Sequence, residues 1–375
     1  MKKLCFVVSS SATALAFLKG PMQQLSRYYD IHLIANTTDT ERLYEELPIK
    51  QFHFIPIERG LNPLHDFFTL FQITRFLRSN SFDALHSVSP KAGLMAMVGG
   101  FIARTPIRTH TFTGQVWANK KGVLHFILKN IDRLIAHCAT HVLVDGVSQL
   151  NFLWKQNVVN KEAKVLGKGS ICGVSLTRFT PTIEIRKKRR FDLGINKDEW
   201  VFMFLGRLNK DKGVIDLINA FIQLNQAENS CSLYLVGHDE EEIESRYSTL
   251  SNKIHFIPFD QKPETLLQAC DTFCLPSYRE GFGLSVIEAS ALEKPIICSD
   301  AYGLADTIID HQTGLRHRMG DVHDLQQQLS YAIHHPEKMN AMGRAGREYV
   351  KERFSEEYLL TEWEKFYSEN LGYKR

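Results

Sequence analysis

Short apolar runs recur along this chain, and stretches with helical spacing lie between them. The first set covers residues 4–8, 31–35, 53–57, 84–87, 107–111 and 141–144. After a gap come 201–205, 232–236, 254–258, 272–275 and 295–298. Strands that alternate with helices pair in parallel, because each crossover helix returns the chain to the same end of the sheet. Helices then cover both faces, which is why such strands read as unbroken apolar runs. The pattern predicts an α/β protein, and the gap predicts two sheets. A length of 375 residues suits two domains, and 44% hydrophobic content is enough to bury two cores. Pro181 and the basic run 186–190 read as a solvated linker between them.

Charge is uneven along the chain. Residues 1–190 carry 26 Lys and Arg against 12 Asp and Glu, and residues 191–375 carry 19 against 30. A basic first half points to an anionic partner. No helix-turn-helix or RNA-binding signature accompanies it, so the expected partner is a membrane or a lipid phosphate and not nucleic acid. The apolar run at residues 4–8 ends on Ser9, Ser10 and Ser11, too soon for a signal peptide. The longest apolar stretch, 94–103, is too short to span a bilayer. Seven scattered cysteines, odd in number, read as buried thiols in a reduced, cytoplasmic protein. Cys270 and Cys274 lack a second pair, and no Asp-x-Asp pair stands in a convincing place, so no metal is expected.

Two loops carry chemistry. After the apolar run 272–275 comes Pro276-Ser277-Tyr278-Arg279-Glu280-Gly281-Phe282-Gly283-Leu284, and then a helix start that includes Glu288. A helix N-terminus leaves backbone N–H groups unpaired and favours anions. Glycines let a phosphate approach the backbone of Gly281, Phe282, Gly283 and Leu284. Glu280 and Glu288 repel phosphate but accept hydrogen bonds from hydroxyls. An anion site flanked by two hydroxyl acceptors describes a sugar nucleotide. The second loop follows the apolar run 201–205 and reads Gly206-Arg207-Leu208-Asn209-Lys210-Asp211-Lys212-Gly213. Arg207 and Lys212 would project from the carboxyl end of a parallel strand, where open α/β sheets bind ligands. Arginine offers phosphate a fork and lysine a point charge.

Taken together, Gly-x5-Lys-Gly at 206–213 and Glu-x7-Glu at 280–288 resemble the retaining, nucleotide-sugar-dependent glycosyltransferases of family 4, with the GT-B fold. That resemblance implies two Rossmann-like domains facing across a cleft. An acceptor domain would span 1–182 and a donor domain 183–355, with a C-terminal helix, 356–375, crossing back to the first domain. It implies that Arg207 and Lys212 grip the donor diphosphate and that Glu280 faces the transferred sugar. Glu288 would hold the ribose hydroxyls. Gly206, Ser277, Gly281, Phe282, Gly283 and Leu284 would complete the donor site. No metal or other cofactor is implied, because the cations and helix amides meet the phosphate charge.

On the acceptor side the family places His110 near the transferred sugar. The segment 110–117 resembles that of bacterial enzymes that build surface polysaccharide, such as capsule or O-antigen, on polyprenyl-diphosphate lipids. That resemblance implies transfer of a hexose or N-acetylhexosamine, most simply from a UDP-sugar, to a glycan or lipid-linked glycan. Lys91 is a candidate contact for an acceptor phosphate. Lys120 and Lys121 open a basic, apolar segment suited to the inner face of the cytoplasmic membrane. The Ser9 to Thr13 segment stands where many members have a Gly-Gly loop, and Cys172 and Ser175 replace a usual polar pair. Two alternatives share the architecture: a sugar-nucleotide 2-epimerase, and an inactive donor-binding partner subunit.

Overall fold

The computed structural model describes residues 1–372 except 59, 61, 161, 226–229 and 261. The chain forms two compact units, Met1–Gly173 with Glu356–Arg375, and Val174–Ser355.

Unit 1 is built on seven parallel strands: β1 Lys2–Val7, β2 Tyr29–Ala35, β3 Gln51–Phe54, β4 Ala84–Val88, β5 Ile107–Phe112, β6 His141–Val144 and β7 Lys164–Val165. Their order is β3-β2-β1-β4-β5-β6-β7. Strand side chains alternate between faces, so β1 feeds two cores. Leu4, Phe6 and Val8 join one cluster, with Leu18, Met22 and Trp363. Cys5 and Val7 join the other, with Ile73, Met95 and Ile135. The C-terminal helix Glu356–Asn370 lies in the first cluster. Its Trp363 indole donates to the Ile171 carbonyl (2.8 Å), and its Tyr367 hydroxyl bonds His86 Nδ1 (2.7 Å). Trp363 and Tyr367, one helical turn apart, are both fully buried, each stabilising the unit by roughly 2–3 kcal/mol.

Unit 2 has six parallel strands: β8 Trp200–Leu205, β9 Cys231–Val236, β10 Ile254–Ile257, β11 Thr272–Leu275, β12 Ile296–Ser299 and β13 Gly314–His317. Their order is β10-β9-β8-β11-β12-β13. In both sheets the order reverses once, between β1 and β4 and between β8 and β11. Crossovers leave such a point in opposite directions and open a crevice at the carboxyl ends.

The strands at β3, β7 and β13 differ from expectation. β3 begins two residues before the expected run 53–57, in register with β2 through His32 and Gln51. β7 and β13 lie at sheet edges, where Lys164, Arg316 and His317 interrupt the apolar pattern.

The boundary also moves, from 182/183 to 173/174. Val174 N–H bonds the Phe354 carbonyl (2.8 Å), and Phe179 is buried in the unit 2 core. The basic run is not a solvated linker. It lies in a helix, Ile183–Asp192, whose Arg186 and Arg190 both pair with Asp271 (2.6 and 3.0 Å). Asp271 also accepts from the Val201 N–H (2.8 Å), so the run anchors the start of β8 beside β11. With residues 174–190 in unit 2, the charge asymmetry shrinks. Unit 1 holds 23 Lys and Arg against 16 Asp and Glu, and unit 2 holds 22 against 26.

Candidate functional site

The loop after β8 is fixed by backbone geometry. Gly206 N–H continues the ladder to the Val236 carbonyl (3.0 Å), and Leu208 N–H bonds the His238 carbonyl (2.8 Å). A Cβ at Gly237 would collide with the Gly206 carbonyl, so the two loops close only around that glycine. Asn209 then caps a single 3-10 turn, Lys210–Lys212, by accepting from the Lys212 N–H (3.1 Å). Gly213 follows with φ +69°, and a side chain there would strike the Pro276 carbonyl. From that contact the first loop is stitched to the second. Tyr278 N–H bonds the Asp211 carbonyl (2.9 Å), and Arg279 reaches the Asp211 carboxylate (3.1 Å).

This stitching brings the two motifs together. Lys212 Nζ lies 2.5 Å from Glu280 Oε1, which also accepts from the Ser277 hydroxyl (2.7 Å). Ser277 is fully buried, and Ser299 Oγ bonds its carbonyl (2.5 Å). Gly303 permits the close approach of the next loop, since a Cβ there would meet the Glu280 backbone. Arg207 is exposed and makes a forked pair with Glu240 (3.0 and 2.9 Å). Asn209 joins that pair by donating to Glu240 (2.6 Å). Burial opposes the Glu240 charge, but hydrogen bonds from Asn209 and Arg207 hold its carboxyl below its ordinary range.

The helix Leu284–Ala291 begins at Gly283, which packs against Leu304. Phe282 lies edge-on to Phe354 (5.1 Å) and holds the turn in place. Leu284 N–H is spent on the Phe282 carbonyl (2.9 Å). The N–H groups of Gly281, Phe282 and Gly283 have no acceptor among the described residues. The backbone left for an anion is therefore the turn before the helix. Glu288 lies in the second turn of that helix, half-buried. Burial pushes its carboxyl up to about 7, with Arg178 opposing and Glu264 adding to the shift. Beside these loops, a cavity of about 250 Å³ opens at the carboxyl ends of β9 and β10, lined by Leu208, Gly237, His238, Asp239 and Phe259.

In unit 1 the carboxyl edge is neutral. His110, on β5, is buried, and its Nδ1 bonds the Ser87 hydroxyl (2.8 Å). Burial lowers its pKa to about 3, so the imidazole is uncharged across the physiological range. Gly93 makes room for this ring, which a Cβ there would strike. Ser9 and Ser89 hydroxyls meet (3.3 Å) at the point where the strand order reverses. Ser89 holds φ +78°, a strained conformation at the start of the helix Pro90–Ala103. Asp145, at the end of β6, is buried with Oδ1 unpartnered among the described residues, and burial pushes it up to about 8. Lys91 is paired with Asp66 (2.5 Å) and the Gly60 carbonyl (2.7 Å). Lys120 and Lys121 are exposed.

Sequence reasoning did not single out Glu240, Asp211, the cavity residues or Asp145. The acidic run after β9 (Asp239, Glu240, Glu241, Glu242) was a legible signal for the first of these. Its meaning depended on β8 and β9 being neighbours.

Comparison with known proteins agrees with this geometry. Residues 185–349 match the family described as glycosyl transferases group 1. The capsular polysaccharide biosynthesis glycosyltransferase CapM of Staphylococcus aureus is 26% identical over 97% of this chain and 96% of its own length. The N,N'-diacetylbacillosaminyl-diphospho-undecaprenol alpha-1,3-N-acetylgalactosaminyltransferase of Campylobacter jejuni is 25% identical over 81% of this chain and 82% of its own. The crystal structure of Anabaena Alr3699/HepE in complex with UDP-glucose matches with a TM-score of 0.80 at 17% identity, covering 98% of this chain and 100% of that one. Residues 185–349 are thus a glycosyl transferases group 1 domain, and the chain that carries them is a glycosyltransferase of the GT-B fold.

Proposed function

We propose that the protein transfers a hexose or N-acetylhexosamine, with retention, from a UDP-sugar to a polyprenyl-diphosphate-linked glycan in surface polysaccharide assembly. The observation that carries this is the meeting of Lys212 with Glu280 (2.5 Å), one from each motif loop. A phosphate ligand and a hydroxyl acceptor within one contact of each other suit the junction between a diphosphate and its sugar. The relatives support the two substrates. The Campylobacter jejuni enzyme is named for a diphospho-undecaprenol acceptor, and the Anabaena structure holds UDP-glucose.

On this reading the diphosphate lies on the free amides of Gly281, Phe282 and Gly283, with Lys212 and Arg207 turned onto it. Both cations leave a carboxylate to do so. The uracil enters the cavity beside His238, where the exposed Phe259 ring offers a stacking face. The ribose hydroxyls donate to Glu288, and a sugar hydroxyl donates to Glu280. The acceptor oxygen attacks the anomeric carbon while its bond to the β-phosphate oxygen breaks. The acceptor proton passes to that phosphate oxygen, so the nucleoside diphosphate leaves from the face that is attacked. Negative charge grows on the leaving group, where Lys212, Arg207 and the amides stabilise it. His110, uncharged, serves as a hydrogen-bonding partner and not as a cation.

The test is a panel of nucleotide sugars, with release of nucleoside diphosphate measured with and without lipid-linked acceptors. A UDP-sugar should be consumed fastest, and EDTA should leave the rate unchanged. Conversion of the sugar nucleotide to its epimer with no acceptor would replace this reading by the epimerase.

A further inference from the structure

The helix Pro63–Asn80 turns four large apolar side chains to solvent. Leu64, Phe67, Phe68 and Phe71 are 77%, 68%, 68% and 62% exposed. Their spacing places them on one stripe, while Thr69, Ile73, Thr74 and Leu77 are buried against unit 1. A second helix, Gly122–Cys138, exposes Val123, Leu124, Phe126 and Ile127 in its own first turns. The helix Pro90–Ala103 packs against both. Each of the three begins after a strand of a parallel sheet, so their first turns lie at its carboxyl edge. Both exposed runs therefore stand at the edge that carries Ser87, Ser89 and His110.

Charge marks the same stretch of chain, with Lys120 and Lys121 beside the exposed first turns, Arg75, Arg78 and Arg104 toward the far ends of the helices and Arg108 at the start of β5. Residues 59–138 hold ten Lys and Arg against three Asp. All three carboxylates are used internally: Asp66 on Lys91, Asp83 on the Lys3 N–H (2.7 Å), and Asp132 on the Trp117 indole (2.7 Å). The rest of unit 1 is balanced, with 13 basic and 13 acidic residues. The whole positive excess of the unit lies on this segment.

We propose that this face, formed by the first turns of the helices Pro63–Asn80 and Gly122–Cys138 with Lys120 and Lys121, seats on an anionic lipid bilayer. A soluble anionic glycan would answer the charge but not the phenylalanines. A second copy of the chain would set basic against basic, because a two-fold interface meets itself. A bilayer surface accepts both features: aromatic side chains enter the headgroup boundary and lysines meet anionic headgroups. No helix among the described residues is long and apolar enough to cross a membrane, so the contact is a seat and not a span. The proposal deepens the proposed function and rests on its lipid-linked acceptor.

The test is sedimentation with vesicles of phosphatidylglycerol and phosphatidylethanolamine, against vesicles of phosphatidylcholine. The protein should bind the anionic vesicles, less so as salt rises, and bind the neutral ones much less. Replacing Phe67, Phe68 and Phe71 together by Ser should cut binding at least tenfold, with the circular dichroism spectrum and the hydrolysis of the nucleotide sugar unchanged. Lys120→Glu with Lys121→Glu should cut binding and flatten its salt dependence. Phe68→Trp, a milder change, should shift its fluorescence to the blue on anionic vesicles. Wild-type binding by the triple variant, or no binding by the wild-type protein, would overturn the proposal. So would a triple variant that loses only self-association in sedimentation velocity. Vesicle binding without hydrolysis of any nucleotide sugar would instead sink the proposed function and leave the seat standing.

Discussion

At the carboxyl edge of the unit 2 sheet, cations sit on carboxylates. Lys212 is on Glu280, Arg207 on Glu240 and Arg279 on Asp211, all held by loops that close around glycines. At the matching edge of unit 1, β4, β5 and the turn after β4 present Ser87, Ser89 and an uncharged His110, Lys91 is held by Asp66 between the first turns of two flanking helices, and Lys120 and Lys121 are exposed. Two sheets of similar order thus present different chemistry at their carboxyl edges. On the proposed function Lys212 and Arg207 leave these carboxylates for the phosphate charge as it develops. On the same reading the neutral donors and acceptors of the unit 1 edge face sugar hydroxyls, and the exposed Lys120 and Lys121 face a lipid surface.

The sharpest way to break this contrast is to remove the cations of unit 2. Lys212→Ala and Arg207→Ala should each lower kcat by roughly 100-fold or more, because each meets charge that appears in the transition state. The Arg207 change should leave stability nearly intact, since an exposed pair contributes at most about 1 kcal/mol. Lys212→Ala leaves Glu280 with Ser277 as its remaining partner and should be the less stable of the two. Steady-state kinetics alongside thermal melts checks both. Near-normal turnover in either variant would remove that residue from the donor site.

Next in size is the division between Glu280 and Glu288. Glu280→Gln should reduce transfer while nucleoside diphosphate still binds. Glu288→Gln should weaken binding of the diphosphate itself, by about tenfold for a lost pair of charge-assisted hydrogen bonds. Burial raises the Glu288 carboxyl from 4.5 to about 7, so it is largely protonated below that value. Ribose hydroxyls need the ionised form as acceptor. Affinity should therefore rise with pH up to about 7 and level off above, with a proton released on binding, and Glu288→Gln should abolish the slope. The raised pKa also means that the folded state binds more protons than the unfolded one between 4.5 and about 7. Stability contributed by this group is present below that window and lost across it. Glu288→Gln should then melt higher than the wild-type protein above that window, even as it binds nucleotide less well. Calorimetry across pH decides. A pH-independent Kd in the wild-type protein would place the ribose elsewhere.

How much of this was legible follows from the residues themselves. The two motif loops could be read because each follows an unbroken apolar strand and carries glycines where the backbone needs them, as at Gly213. Glu240 could not be paired with Arg207 from sequence, because that contact requires β8 and β9 to be neighbours. The apolar stripe on the helix Pro63–Asn80 was hidden by apolar residues on its other face, such as Ile73 and Leu77, which blur the helical period. The basic run 186–190 looked solvated because its partner, Asp271, lies far along the chain. The uncharged state of His110 depends on burial, which spacing does not report.

A smaller effect separates the neutral edge from the charged one. His110→Ala should slow transfer by about tenfold, in line with loss of one or two neutral hydrogen bonds. The pH–rate profile of the wild-type protein should show no limb near pH 6–7 that His110→Ala removes, because the imidazole titrates at about 3. Gly93→Ala should mimic the loss by pushing the ring from its seat, with nucleotide binding in unit 2 unchanged. A His110-dependent limb in the neutral range would make this edge titratable and erase the contrast drawn between the two sheets.

The smallest effect is expected at Lys91, and it tests whether any cation of the unit 1 edge serves a substrate. Its ammonium is held by the Asp66 carboxylate and the Gly60 carbonyl, and only 11% of the side chain is exposed. Those contacts tie the first turn of the helix Pro90–Ala103 to that of its neighbour Pro63–Asn80. Lys91→Met keeps the aliphatic stem and removes the charge, leaving Asp66 unpaired. Stability should fall by roughly 1–2 kcal/mol, the cost of a partly buried carboxylate without its partner. Lys91→Met with Asp66→Asn should recover most of that loss, because both charges are then gone. Transfer to the acceptor should change less than about threefold in either variant, since Lys91 is held by a backbone carbonyl as well as a carboxylate, whereas Lys212 has, among the described residues, its carboxylate alone to leave. Melting curves and acceptor kinetics on the single and double variants separate the two roles. A lysine that bound the acceptor phosphate would raise the acceptor KM by an order of magnitude or more in both variants, with no recovery in the double.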